Sequence, residues 1–169
     1  MLETIAWSEG AGHPLDYDTI AYGKVIKSNS FPDLVGKVGS PQNPLKLPDL
    51  SKYPDILVKW RPGRGAETNT TAVGRYQFLK SDFRNAWNKF GPVPDFSSGS
   101  QDLVAVEDMI LHGMIDPLLK DDPQQAIFNG KGEWSSFPGS PNEQGTMPLK
   151  DTLAYYNKAL GNCRNSQKK

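Results

Sequence analysis

The chain has 169 residues, with 19 basic side chains balanced by 19 acidic ones, 16 glycines and 14 prolines. That length holds one domain with a real core, and zero net charge argues against broad binding to nucleic acid or an anionic membrane. The lone Cys163 excludes an internal disulfide or a cysteine-rich metal site, and the two histidines, His13 and His112, fall outside any zinc motif. No apolar run reaches the length of a membrane span, and the first ten residues lack the basic start and long apolar stretch of a signal peptide.

Leu2, Ile5 and Ala6 share one face at helical spacing, and the next position on that face is Glu9. Gly10 is expected to stop the helix. A carboxyl there is disfavoured in its charged form by loss of water and by the negative end of the helix dipole. Kept protonated near neutral pH, it can donate a proton to a leaving group. The pattern also accommodates an ionised, solvated glutamate at a frayed helix end. After a turn at Gly10 to Pro14, the residues Ile20, Tyr22, Val25 and Ile26 predict a short strand or hairpin within Asp16 to Ile26. Residues 27–72 hold Pro32, Pro41, Pro44, Pro48, Pro54 and Pro62, which exclude a clear helix and suit a small β-lobe with a functional loop.

Tyr76, Leu79, Phe83, Ala86 and Phe90 predict an amphipathic helix ended by Gly91-Pro92. A second helix is expected from a Ser98 or Ser100 cap, with Leu103, Val106, Ile110 and Met114 as its inward stripe and Gln101 closing a capping box with Ser98. Asp122-Pro123 starts a third helix, with Ile127 facing inward. Leu149, Leu153, Tyr156 and Leu160 mark a fourth, ended by Gly161, and Arg164 to Lys169 read as a polar tail. The fold class expected is α+β, mostly helical, with a small β-hairpin lobe near the N-terminus.

Asp16 and Asp18 are the candidate partners of Glu9, because two carboxyl groups can flank a glycosidic bond; both are also ordinary turn residues. The segment Ala72 to Gln77 leads into a predicted helix, where free backbone amides bind oxygen atoms, and Arg75, Tyr76 and Gln77 add donors and an aromatic face suited to a sugar. Tyr76 fits a core position equally well. Trp60 and Trp134 lie in predicted loops as candidate stacking platforms, while Trp87 lies inside a predicted helix and reads as core. Gly63, Gly65, Gly130 and Gly132 form no phosphate loop, and Ser135 and Ser136 have no neighbouring histidine for a serine triad.

Ala6-Trp7-Ser8-Glu9-Gly10 resembles the catalytic start of the bacteriophage lambda endolysin family. Tyr17-Asp18, with Ile20 and Gly23, resembles the strand that follows it, and Gly74-Arg75-Tyr76-Gln77 with Leu79 resembles a loop-to-helix motif of that family. Two further blocks match: Asp95-Phe96-Ser97 with Ser100-Gln101-Asp102 and Val104-Ala105, then Trp134, Ser136 and Pro138-Gly139. The blocks keep the family's order over nearly the whole chain.

The resemblance implies a lysozyme-like fold, a single catalytic domain over residues 1–163, and cleavage of the bond between N-acetylmuramic acid and N-acetylglucosamine in bacterial peptidoglycan. It implies lytic transglycosylation to 1,6-anhydro ends, with Glu9 as the single acid and base and no metal or cofactor. Asp18, Tyr22, Arg75, Tyr76, Gln77, Gln101 and Trp134 are the expected substrate-binding residues. The chain is shorter than the lambda pattern between Gly10 and Tyr17, so Asp18 lies nine residues after Glu9. Phage lysozymes that hydrolyse with a glutamate–aspartate pair use that offset and place a threonine six residues beyond the aspartate, where this chain has Lys24. An inverting muramidase using Glu9 and Asp18 is therefore the alternative, followed by a non-catalytic cell-wall-binding module. The expected partner is the peptidoglycan glycan strand, without nucleic acid or membrane. The protein is expected to be a monomer, held in the host cytoplasm and acting in the periplasm.

Overall fold

The computed structural model describes residues 1–61, 66–142 and 146–166, apart from the side chains at positions 86–88 and 90. Gly63 and Gly65, and the side chains of Ala86, Trp87 and Phe90, lie outside the described residues. The chain divides into two compact units, Met1–Pro14 with Met109–Lys169, and Leu15–Asp108.

The first unit is helical. Helix α1 spans Leu2–Glu9, α4 Ile115–Leu119, α5 Pro123–Gly130 and α6 Leu149–Ser166, and the end of α3 (Ser98–Leu111) also belongs to it. Ile5 and Ala6 of α1 are buried, as are Met109, Met114, Ala126, Ile127, Trp134 and Phe137. Trp7 stacks on Tyr155 of α6 with ring centroids 4.8 Å apart. Helix α5 begins as its sequence predicts: Asp122 accepts from the Gln125 amide, Pro123 opens the helix and Ile127 is buried. Helix α6 does not stop at Gly161; it continues to Ser166, because a single glycine weakens a helix without breaking it. Arg164, Asn165 and Ser166 are thus helical rather than part of a loose tail.

The second unit carries the β-structure. Strands β1 (Gly23–Ser28), β2 (Val38–Gly39), β3 (Ile56–Trp60) and β4 (Thr68–Thr70) form an antiparallel sheet in the order β2-β1-β3-β4. The expected hairpin is therefore two strands wider, and the proline-rich stretch supplies β2, β3 and β4. Val25, Ile56 and Val58 point into the core, while a register shift between Val25 and Lys27 leaves both Ile26 and Lys27 outward. Tyr53, Phe78, Phe83 and Phe96 pack ring against ring at 5.0–5.5 Å.

Two further helix assignments differ from the sequence reading. Helix α2 spans Lys80–Phe90 and excludes Tyr76 and Leu79, because Gly74 (φ +83°) and Gln77 (φ +51°) adopt left-handed conformations that no helix continues. In α3 the expected inward stripe is displaced: Leu103 and Ile110 are 50% and 54% exposed, and the buried positions include Gln101, Val104, Ala105, Asp108 and Met109. Its first turn is capped by Ser97, whose Oγ accepts from the Ser100 amide at 3.4 Å, not by Ser98 or Ser100. Among the described residues, no helix is long and apolar enough to cross a membrane.

Candidate active site

Glu9 is the last residue of α1. The chain reverses just beyond it, with the Gly10 amide donating to Ala6 O and the Gly12 amide to Trp7 O. The left-handed residues of this reversal are Ala11 (φ +52°) and Gly12 (φ +97°); Gly10 itself has φ −86° and caps the helix, which ends at Glu9 as expected. Glu9 is half-buried. Burial pushes its carboxyl up to about 7, with the neighbouring charge of Glu133 adding to the rise. Two donors from one residue oppose it: Ser136 Oγ donates to Glu9 Oε1 at 2.5 Å, and the Ser136 amide also donates to the carboxyl. Glu133 Oε2 lies 3.2 Å from His112 Nε2. The outcome is an acid near half-protonation at neutral pH, suited to giving a proton and taking one back.

The second unit holds a polar cluster around Asp102. Tyr17 Oη donates to both Asp102 oxygens at 3.0 and 3.2 Å, and Tyr76 Oη donates to Oδ1 at 2.6 Å. Burial and the Asp102 carboxylate both raise the Tyr76 phenol. The Arg75 guanidinium lies 5.0 Å from the centre of the Tyr17 ring and donates to Leu15 O at 2.7 Å. Gln101 completes the brace: Oε1 accepts from the Arg75 amide, and Nε2 donates to Tyr17 O and Phe96 O. Asp102→Asn keeps the shape but removes the charged acceptor of two phenols, and should cost about 1–2 kcal/mol in a urea unfolding titration; an unchanged midpoint would remove the cluster from the stability of this unit.

Asp18 does not stand free. Residues 18–20 pair with 45–47, as Leu47 N donates to Asp18 O and Ile20 N to Leu45 O, which brings Lys46 across from Thr19. Lys46 Nζ then lies 2.6 Å from Asp16 Oδ2 and 2.7 Å from Asp18 Oδ1. Burial alone would lower the Lys46 ammonium, but the two aspartates outweigh it and raise it. Tyr22 is half-buried just before β1, and burial raises its phenol despite the Lys46 charge.

Of the expected substrate contacts, Asp18, Tyr22, Arg75 and Gln77 are at least partly accessible, Gln77 with its side chain donating to Gly74 O at 2.9 Å. Three others are not surface groups. Tyr76 is 2%, Gln101 0% and Trp134 3% exposed. The Tyr76 ring packs against Phe78, the Gln101 amide is spent on backbone partners, and Trp134 packs against Phe137. Each offers a ligand no free face in this structure, and each instead shapes the backbone beside it. Trp60 ends β3 half-buried. Ser136, Lys46 and Asp102 are the groups sequence reasoning passed over. Ser136 and Asp102 sat in the family blocks without a role, and no local spacing brings residue 136 to residue 9.

The α+β architecture, with a desolvated carboxylic acid closing the first helix, is that of a lysozyme-like glycosidase. Its similarity to the solved structure of bacteriophage lambda lysozyme complexed with a chitohexasaccharide has a TM-score of 0.66, at 25% identity, covering 94% of this chain and 90% of that one. A second structure of lysozyme from bacteriophage lambda matches with a TM-score of 0.64 at the same identity. In sequence the chain is 28% identical to the endolysin of Escherichia phage lambda, covering 96% of this chain and 90% of the relative. It is 30% identical to the endolysin of Escherichia phage P2, covering 95% and 90%. The pattern of the Endolysin family matches residues 1–163, and the chain belongs to that family.

Proposed function

We propose that this endolysin cleaves the β-1,4 bond between N-acetylmuramic acid and N-acetylglucosamine by lytic transglycosylation, with Glu9 as the single acid and base. The observation that carries the reading is the Glu9 carboxyl, raised to about 7 by burial and held by Ser136. In the first half of the reaction Glu9 gives its proton to the bridging oxygen as the C1–O bond breaks. In the second, the 6-hydroxyl oxygen of the muramic sugar bonds to C1 and its proton passes to Glu9, so the enzyme ends as it began. No water is consumed and no second protein carboxylate is required.

The state of Asp18 favours this over inverting hydrolysis. An inverting enzyme needs a second carboxylate to activate water, and the Asp18 carboxylate is engaged by the Lys46 ammonium at 2.7 Å. Mass spectrometry of digested sacculi tests the choice: the expected fragments end in 1,6-anhydro-muramic acid, and fragments with reducing muramic ends only would replace this reading with hydrolysis. In our reading Asp18, Tyr22, Arg75 and Gln77 contact the glycan. Residues 1–163 act as one catalytic domain in a monomer, which waits in the host cytoplasm and works in the periplasm.

A further inference from the structure

We infer that Ser136 is a positioning residue for the acid–base step: it occupies Oε1 of Glu9, so that Oε2 is the oxygen that carries the transferred proton. The inference rests on the assignment of Glu9 as acid and base. Its starting point is the doubled contact, hydroxyl to Oε1 at 2.5 Å and amide to the same carboxyl, made by one residue 127 positions away in sequence.

The donors are preorganised. Ser136 O accepts from the Met147 amide at 2.9 Å, the Trp134 amide donates to Gly130 O, and the Phe137 amide donates to Trp134 O. Trp134 and Phe137, on either side of the serine, are both buried. The loop that presents Ser136 is thus anchored by two buried rings and three backbone bonds, and its donors need little rearrangement during reaction. This also gives Trp134 a place in the site without exposure to the glycan.

The hydroxyl bond survives both protonation states. A serine O–H donates to an oxygen of the ionised carboxylate and equally to the carbonyl oxygen of the neutral acid. With Oε1 occupied in either state, the proton resides on Oε2 before the first half-reaction and returns to Oε2 after the second. The charged groups facing Glu9 act in opposition. Burial and Glu133, itself 3.2 Å from His112 Nε2, disfavour the anion, and Ser136 favours it. A lone group serving as acid and then as base needs that balance, because either extreme would slow one half of the cycle.

The test compares Ser136→Ala and Ser136→Thr with the parent enzyme in initial rates of sacculus digestion across pH. Glu9 must start protonated, so the parent rate falls on the alkaline side near its pKa. Removing a donor to the anion should move this limb up by about one pH unit and lower kcat by about tenfold, the worth of one hydrogen bond to a charged group, with KM little changed. The threonine variant should restore both limb and rate. A folded Ser136→Ala enzyme whose limb stays in place, or moves down, overturns the inference, as does a folded threonine variant that behaves like alanine. Glu9→Gln separates the two levels: an active glutamine variant removes Glu9 itself, while an inactive one beside an unmoved Ser136→Ala limb removes only the role of Ser136.

Discussion

Glu9→Gln should lose two to four orders of magnitude in lytic rate, roughly the contribution of a positioned general acid, while folding as well as the parent or better. Glutamine matches the shape of the carboxyl and can accept from Ser136, but has no proton to give. The stability effect has a definite sign. The folded carboxyl is raised to about 7 from 4.5, so below 4.5 both folded and unfolded chains carry the proton and no penalty exists. Between 4.5 and 7 the unfolded chain releases its proton first, and the folded state loses stability as pH rises. Above 7 the loss levels off at about 3 kcal/mol. The glutamine variant carries no such penalty. Its stability advantage should therefore grow by about 3 kcal/mol from pH 4 to pH 8 in urea titrations. A constant or shrinking difference would mean that Glu9 is ionised and solvated, and would take away the physical basis of its assigned role. The expected gain in stability with loss of activity marks a site held away from its own stability optimum.

Gly74→Ala should destabilise the Leu15–Asp108 unit by about 4 kcal/mol, and the origin is local. Gly74 has φ +83°, a conformation side chains avoid, and a Cβ there would overlap Gln101 Oε1 and lie 2.8 Å from Phe96 Cζ. Neither neighbour can yield without loss. Phe96 is fully buried, and moving Gln101 breaks its bonds to the Arg75 amide, Tyr17 O and Phe96 O. The segment Leu15 to Thr19, which carries Asp18, is tied to the Gly74 turn by these bonds and by Gly74 N donating to Thr19 O at 2.7 Å. Thermal unfolding with and without the substitution measures the loss. A variant within 1 kcal/mol of the parent would show that the turn relaxes freely and that Gln101 is not a brace.

Two helices differ from their sequence patterns for different reasons. Gly74-Arg75-Tyr76-Gln77 was legible as a special segment, but its buried residues Tyr76 and Phe78 alternate two apart, as in an extended strand. Helical periodicity runs through them only if the left-handed Gly74 and Gln77 are ignored. The α3 stripe failed differently. Leu103 and Ile110 are the more apolar choices, yet the helix buries Gln101, because its polar partners Tyr17 O, Phe96 O and the Arg75 amide reward that face. Hydrophobicity alone picks the wrong side of a helix when its inner face carries a hydrogen-bond network.

The sequence by itself determined what depends on near neighbours. The helix that ends in Glu9, the Asp122-Pro123 start of α5 and the absence of an α-helix from the described residues of the proline-rich stretch all rest on residues a few positions apart. Only the tertiary structure decided what depends on distant ones: Ser136 on the Glu9 carboxyl, Lys46 between Asp16 and Asp18, and two phenols on Asp102. The physical reason is that a carboxyl's chemistry is set by the donors, charges and lost water within a few ångströms of it. Folding, not spacing along the chain, chooses those neighbours.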